Sequence, residues 1–286
     1  MIGRLSGAAL LAMLASLLLP GCAPLSQPAG ATSAGAAAAA VESRSITLPA
    51  GDGQASALLL VPAGSGPRPG VIVWPDIAGL RPAYAAIGRD LAAAGYVVLI
   101  PNNFYRSAQL DGTTGSASLS ADDMRTRLAD WRAAASDEGI ARDARAYVAY
   151  LDGTGLVDRS RPIGVVGYNV GAAHAFRAAA AVPDRIGAVA VAHPLGVATE
   201  RPNSPHLLVG GTHASWLVVM AAPDDEREPG DKDDLRRAFA DAGQAGTVRV
   251  VDAAHGFAVP DNANFDATAA AGFQQDMLAL FARALR

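Results

Sequence analysis

The 286-residue chain contains one cysteine, Cys22, and one lysine, Lys232. A single cysteine excludes an intramolecular disulfide, and it excludes a cysteine nucleophile anywhere beyond residue 22. Aromatic residues make up only 6% of the chain, and the arginines are neither clustered nor interleaved with them. With a net charge of -4 as well, the chain has no pattern typical of a nucleic-acid-binding surface.

The N-terminus lacks an apolar run long enough to span a membrane. Arg4 precedes an apolar run over residues 5–19, whereas a spanning helix needs about 20 apolar residues. A positive start, a short apolar core and a small residue before the cleavage point are typical of a secretory signal. Leu19-Pro20-Gly21-Cys22 also resembles the lipobox of bacterial lipoproteins, in which the cysteine is lipidated and becomes the first residue of the mature chain.

We therefore predict a signal peptide over residues 1–21 and an exported protein. The lipid on Cys22 would hold it to the membrane of the bacterial cell envelope, facing the periplasm or the exterior. Residues 22–44 consist mainly of Ala, Gly, Ser and Pro, which cannot bury enough surface to fold. They are predicted to form a flexible tether before a single domain over residues 45–286, which is long enough to bury a large core.

Short runs rich in Val and Ile alternate with amphipathic helical patterns along this domain. Most of the runs lack inside/outside alternation, as expected for strands that are covered by helices on both faces. The predicted fold class is therefore α/β, with a doubly wound, mostly parallel sheet. The predicted strands cover residues 57–61, 70–74, 96–100, 163–167, 188–192, 216–221 and 247–251; the predicted helices cover 82–94, 121–135, 142–151, 171–181, 232–242 and 267–285.

Ligands of such sheets bind beyond the carboxyl ends of the strands. The polar residues that follow the predicted strands are therefore candidate site residues. They are Asp76, Asn102, Asn103, Asn169, His193, Asp224, Asp225 and His255.

One of these residues lies in a pattern with a known geometry. The run Gly167-Tyr168-Asn169-Val170-Gly171 follows an apolar strand and precedes a helix, as the turn that presents the nucleophile of α/β-hydrolases does. Its central residue is Asn169, whose carboxamide cannot be activated by a histidine as a hydroxyl or thiol can. Asparagine is enriched at positive φ, so it can keep the strained turn.

Four segments resemble the dienelactone hydrolase family of α/β-hydrolases, and the resemblance extends over nearly all of residues 46–286. It implies an α/β-hydrolase fold and a pocket for a small ester, lactone or carboxylate, with no cofactor. The segments are Pro69-Gly-Val-Ile-Val-Trp-Pro-Asp-Ile-Ala-Gly-Leu-Arg-Pro82, Ala94-Gly-Tyr-Val-Val-Leu-Ile-Pro101, Gly167-Tyr-Asn-Val-Gly171 and Ala254-His-Gly-Phe-Ala-Val-Pro-Asp261.

The resemblance assigns catalytic positions to three residues. His255 corresponds to the triad histidine, which acts as the general base. Asn169 stands at the nucleophile position. The triad acid is Asp225 or Asp224, and Asp225 is preferred because Pro229 follows it by four residues, as a proline does in the family.

The resemblance also implies an oxyanion hole and substrate contacts. The backbone amides of Ile77 and Val170 would form the oxyanion hole. Asp76 takes the place of an acidic residue that lies beside the nucleophile in the family.

Two arginines are candidate ligands of a substrate carboxylate. Arg106 matches an arginine that helps to hold this group in the founding enzymes, and Arg81 is the alternative. A second arginine of that clamp is replaced here by Val259, so the clamp is incomplete.

These residues leave three hypotheses. The protein is a ligand-binding or very weakly active homologue of hydrolases, an active hydrolase that uses water activated by His255 or a carboxylate formed by deamidation of Asn169, or a tethered interaction module with a relic pocket. No metal site is predicted, because the five histidines show no recognised zinc spacing.

Overall fold

A computed structural model describes residues 40–108, 110, 112 and 120–286. The predicted signal peptide, the predicted lipidation site Cys22 and most of the predicted tether lie outside the described residues. Within the described part of the chain, no helix has both the length and the apolar character that a membrane span requires.

Eight strands form one mixed sheet. They are β1 (Val41–Ala50), β2 (Gly53–Pro62), β3 (Gly70–Trp74), β4 (Val97–Pro101), β5 (Ile163–Tyr168), β6 (Ile186–Ala192), β7 (Ser215–Ala221) and β8 (Gly246–Val251). Their order is β1-β2-β4-β3-β5-β6-β7-β8. Strand β2 pairs antiparallel with β1 and β4, and the other neighbours pair parallel. Every residue of β3, β4 and β5 is buried, which explains their continuous apolar sequences.

Helices cover both faces of this sheet, as predicted for a doubly wound fold. They are α1 (Pro82–Ala93), α2 (Ala121–Ala134), α3 (Asp137–Gly153), α4 (Gly171–Ala181), α5 (Ala222–Arg227), α6 (Asp231–Asp241) and α7 (Ala267–Ala284), with a 3₁₀ helix over Pro205–Gly211. Leu91 of α1 and Phe281 of α7 pack in the core on one face. Tyr147 of α3, Phe176 of α4 and Phe239 of α6 pack in the core on the other.

The predicted start of the domain at residue 45 is wrong. Strand β1 begins at Val41 and pairs along its whole length with β2, from Val41 opposite Pro62 to Ala50 opposite Gly53. Its sequence gave little signal, because most of its side chains are exposed and backbone pairing holds it at the edge of the sheet. The last residues assigned to the tether therefore belong to the domain.

Other elements near the site also differ from the sequence prediction. Helix α3 begins at Asp137, five residues before the predicted start, because the Ser136 side chain caps it by accepting a hydrogen bond from the Gly139 amide. The segment around Pro205, which lies outside every predicted helix and strand, contains the 3₁₀ helix. Both elements lie next to the carboxyl ends of β5 and β6.

Candidate active site

Asn169 occupies a strained turn between β5 and α4. Its φ is 53°, a conformation in which asparagine is several-fold enriched among non-glycine residues. The turn is fixed by backbone hydrogen bonds: the Asn169 amide donates to the Ala192 carbonyl, and the Asn169 carbonyl accepts from the amides of Ala172 and Leu195. The predicted turn geometry is therefore present, and it holds the carboxamide at the carboxyl edge of the sheet.

The two glycines of the pattern are required by close backbone packing. A Cβ at Gly167 would lie 2.5 Å from the Gly171 carbonyl oxygen, and a Cβ at Gly171 would lie only 2.3 Å from the Trp74 carbonyl oxygen. Because backbone atoms cannot yield as a flexible side chain can, neither position has room for another residue.

Substitution of Gly171 by alanine is expected to destabilise the fold by about 3 kcal/mol or more through this clash. Urea denaturation measures the change in the free energy of unfolding. Gly272→Ala is the matched control, because Gly272 lies inside α7 with no atom within 4 Å of the added Cβ. It should instead stabilise the protein by about 0.5–1 kcal/mol. Equal effects of the two substitutions would contradict the packing argument.

His255 and Asp224 are hydrogen-bonded beside this turn. His255 Nδ1 lies 2.6 Å from Asp224 Oδ2, and the Asp224 carboxylate is buried. The preference for Asp225 is therefore wrong: Asp225 Oδ1 and Oδ2 accept instead from Lys232 Nζ at 2.7 and 2.8 Å. The order of elements explains the correction, because β7 ends at Ala221 and α5 starts at once, which turns Asp224 towards His255 and Asp225 away from it.

The Asn169 carboxamide contacts the other nitrogen of His255. Asn169 Nδ2 lies 2.6 Å from His255 Nε2. Because the Asp224 carboxylate can only accept, the neutral imidazole carries its proton on Nδ1 and has its lone pair on Nε2. The amide N–H therefore donates to the lone pair with which a general base would take a proton.

The two residues predicted to form an oxyanion hole lie together. Ile77 and Val170 pack in one small apolar cluster with Phe104. Neither backbone amide donates to another described residue. Val170 immediately precedes the first turn of α4, where free amides and the helix dipole favour a partial negative charge.

Arg81 does not face the site as a free cation. Its guanidinium binds both carboxylate oxygens of Asp76, at 2.5 and 2.8 Å, and also binds Asp261 at 2.8 Å. Burial by itself opposes the charged form, but the nearby Tyr84 and Asp76 raise the pKa of Arg81 above its usual value. The predicted substrate contacts of Arg81 and Asp76 are therefore corrected: the two side chains neutralise each other and join the loop after β3 to the loop that carries His255.

Loss of this arginine is expected to be costly. Arg81→Met leaves the buried Asp76 carboxylate unpaired, and breaking a buried pair in this way costs about 3–5 kcal/mol. Urea denaturation of the variant measures the loss. Arg236→Met is the control, because the Arg236–Asp233 pair is exposed and should change stability by less than about 1 kcal/mol. If both variants lose the same free energy of unfolding, the buried Arg81 ion pairs stabilise the protein no more than the exposed Arg236 pair does.

Arg106 is also committed to ion pairs. It donates to both carboxylate oxygens of the buried Asp143, at 2.7 and 2.9 Å, and to Asp52 at 2.8 Å. Asp52 lies in the turn between β1 and β2, and Asp143 lies on α3. The prediction that Arg106 binds a substrate carboxylate is therefore wrong in this geometry, since the guanidinium ties the β1–β2 hairpin to α3.

His193 is a feature of the site to which sequence reasoning gave no role. It follows β6 with a φ of 37°, so that it and Asn169 are the two non-glycine residues at positive φ in the described chain. Its ring is 1% exposed and lies with its centroid 5.1 Å from that of His255. Burial, together with the neighbouring His255, lowers the pKa of His193 to about 3. Its position directly after a strand was the available signal.

A cleft of about 690 Å³ lies next to this turn: Val170 is part of its lining, whereas Asn169, His193 and His255 are not. Its volume is typical of small-molecule sites. Val170 and Leu195 line it on the side of the turn, and the N-terminal residues of α3 line the opposite side. Another cavity, of about 480 Å³, lies at the amino ends of β7 and β8, away from the site. Among the described residues, no three His, Cys, Asp or Glu side chains are grouped so that they could hold a metal ion.

The strand order, the strained turn after β5 and the histidine after β8 together define the α/β-hydrolase class. The sequence profile of the dienelactone hydrolase family matches residues 55–285. The chain belongs to this family. A search among curated proteins finds no match.

Solved structures with similar folds agree with this assignment. A protein of Klebsiella pneumoniae assigned as a dienelactone hydrolase aligns with a TM-score of 0.72 at 21% identity, covering 85% of this chain and 99% of that one. A dienelactone hydrolase-like promiscuous phosphotriesterase from metagenomic libraries aligns with a TM-score of 0.69 at 23% identity, covering 86% and 100%. The dienelactone hydrolase of Anabaena variabilis has a TM-score of 0.61 at 15% identity, covering 86% and 99%. At these sequence identities, the similarity to the three structures is evidence for the fold alone.

Proposed function

We propose that this protein binds a small ester, lactone or carboxylate beside Asn169 and turns it over very slowly or not at all. Membership of the dienelactone hydrolase family supports the class of ligand. The cleft next to Val170 and Leu195 is large enough for such a molecule. In this proposal Asn169 stands at the nucleophile position, Asp224 and His255 are retained triad members, and the Ile77 and Val170 amides receive the ligand carbonyl oxygen.

One contact carries the proposal: the 2.6 Å hydrogen bond between Asn169 Nδ2 and His255 Nε2. A carboxamide is not a nucleophile that a histidine can activate. The same amide occupies the histidine lone pair, so a water molecule would have to displace it before His255 could act as a base. A water-based hydrolase is therefore disfavoured by the geometry.

Turnover and binding by the purified wild type test this proposal. Short p-nitrophenyl esters, small lactones and, because one structural neighbour is a phosphotriesterase, a p-nitrophenyl phosphotriester form the panel. Saturable binding by NMR is expected with kcat far below the 1–10³ s⁻¹ of typical enzymes. Turnover within that range, abolished by His255→Ala, would show that the protein is an active hydrolase.

We also propose that the protein is exported and lipid-anchored through Cys22. The support is the sequence of residues 1–22 alone. Metabolic labelling with a palmitate analogue in a bacterial host should label the wild type and leave Cys22→Ala unlabelled. Equal labelling of both, or of neither, would argue against the anchor.

A further inference from the structure

The two arginines predicted to bind a ligand carboxylate are already neutralised. Arg81 is shared between Asp76 and Asp261, and Arg106 between Asp52 and Asp143. Neither guanidinium can take a ligand carboxylate without breaking a paired, largely buried contact. The family's clamp includes a second arginine, and in this chain the buried, apolar Val259 stands at that position.

The cleft adds no net positive charge. Arg177 lines it but lies 2.6 Å from Asp137 and also donates to the Asn203 carbonyl. Arg201 lies at the exposed rim and makes no ion pair with another described residue, while Glu138 lines the same cleft. The charges of the lining therefore balance: two arginines face one aspartate and one glutamate.

The polar groups without a partner around His255 are uncharged. Asn169 Oδ1 and both ring nitrogens of His193 are buried and make no hydrogen bond within the described chain. These side chains flank one imidazole, since Asn169 Nδ2 contacts His255 Nε2 and the His193 ring packs against the His255 ring. A neutral imidazole offers one donor and one acceptor. Their lack of a partner is destabilising, because each group has lost its hydration without gaining a hydrogen bond.

We infer that the candidate site selects an uncharged ligand, a neutral ester, lactone or alcohol, and discriminates against carboxylates. Asn169 presents an uncharged carboxamide to His255, and His193 packs an uncharged ring against it. This inference rests on the proposed function and narrows its class of ligand. The determinants are Asn169, His193 and the pairing of Arg81, Arg106 and Arg177 with carboxylates. Arg201, which makes no ion pair with a described residue, lies at the exposed rim of the cleft.

The energies favour the neutral ligand. A carboxylate must lose its hydration, and this loss is large unless a cation or a full set of donors replaces the water. The α4 N-terminus favours an anion only weakly by comparison. A carbonyl oxygen can accept from the Ile77 and Val170 amides without bringing a charge into the site. We expect the neutral ligand to bind at least about tenfold more tightly than its matched carboxylate.

The test compares γ-valerolactone with its ring-opened anion, 4-hydroxyvalerate, on the full-length protein, with Kd measured by ligand-observed NMR. Leu195 lines the cleft and is partly exposed, so Leu195→Arg adds a cation there. This variant should bind the anion about tenfold more tightly than the wild type does. Leu195→Gln, which adds a polar side chain without charge, should not. His193→Asn keeps a neutral donor and acceptor at a positive φ, and it should retain the preference for the lactone.

Each outcome separates this inference from the proposed function. Equal or tighter binding of 4-hydroxyvalerate by the wild type would overturn the inference and leave the proposed function standing. Loss of that binding in Arg201→Gln would then identify the cation responsible. Binding of neither ligand would overturn both. Ordinary esterase turnover that His255→Ala abolishes would overturn the proposed function alone. The KM values for neutral and anionic esters would then still measure the preference for an uncharged ligand.

Discussion

Asn169→Ser is expected to raise kcat/KM for p-nitrophenyl butyrate by about 10³-fold or more over the wild type. Asp224 and His255 are already hydrogen-bonded at 2.6 Å, and the strained turn already presents residue 169 to His255. A serine hydroxyl therefore supplies the reacting atom to an assembled base and acid. In subtilisin, loss of the serine nucleophile lowers kcat by about 10⁶, which sets the scale. Stopped-flow or steady-state release of p-nitrophenol measures the change.

Asn169→Ala is the matched control, because it frees His255 Nε2 without adding a nucleophile. It should stay near the wild-type rate, and Asn169→Ser combined with His255→Ala should lose the gain. Asn169→Cys should also show activity, with a trapped thioester as its signature. If Asn169→Ser is no faster than Asn169→Ala, the amides and the cleft no longer form a working site.

The free energy of unfolding is expected to fall by about 5 kcal/mol between pH 6.5 and pH 4.5 through two buried histidines. Burial is the main reason why the pKa of His174 and that of His193 are both lowered to about 3. Both stay neutral in the fold, whereas the unfolded chain binds protons below about pH 6.5. The stabilisation is thus present above pH 6.5 and is lost as the pH falls towards 3, at about 1.4 kcal/mol per pH unit for each histidine.

Urea denaturation across this pH range measures the slope. His174→Gln combined with His193→Asn should be less steep by about 2.7 kcal/mol per pH unit, even if the variant is less stable at pH 7. His213→Gln, which changes an exposed histidine, should keep the wild-type slope. Carboxylates that titrate in the same range, such as Asp231, whose pKa burial raises to about 6, contribute equally to all three proteins. An unchanged slope in the double variant would show that these two rings do not control the acid sensitivity.

The sheet was predictable where a strand is buried on both faces. Strands β3 and β5 match the predicted runs within one residue, because nothing but apolar side chains fits there. The turn at Asn169 was predictable for a related reason. Backbone atoms lie so close to the two flanking positions that a Cβ would clash with them, so both residues must be glycine. Strand β1 was not predictable in this way, since edge pairing uses backbone groups that every residue has.

Side-chain pairing at the site could not be predicted with the same success. Asp224 and Asp225 are adjacent and chemically identical, and only the turn into α5 decides which one meets His255. Arg81 and Arg106 appeared as ligand-binding cations because most of their partners are distant in sequence; only Asp76, five residues before Arg81, is near. Asp261 lies 180 residues from Arg81, and Asp143 lies 37 from Arg106. His193 belongs to no recognised sequence motif, and its positive φ can be seen only in the three-dimensional structure.

The sequence by itself determined the family, the α/β layers and the missing nucleophile at residue 169, because each depends on residue type and local spacing. Only the tertiary structure decided which carboxylate accepts a hydrogen bond from His255. It also decided that Arg81 and Arg106 form ion pairs within the protein, and that the Asn169 amide donates to the lone pair of His255. The physical reason is that hydrogen bonds and ion pairs depend on distances of a few ångströms between residues far apart in the chain. Apolar periodicity specifies which surfaces are buried, but not which polar atoms meet at their edge.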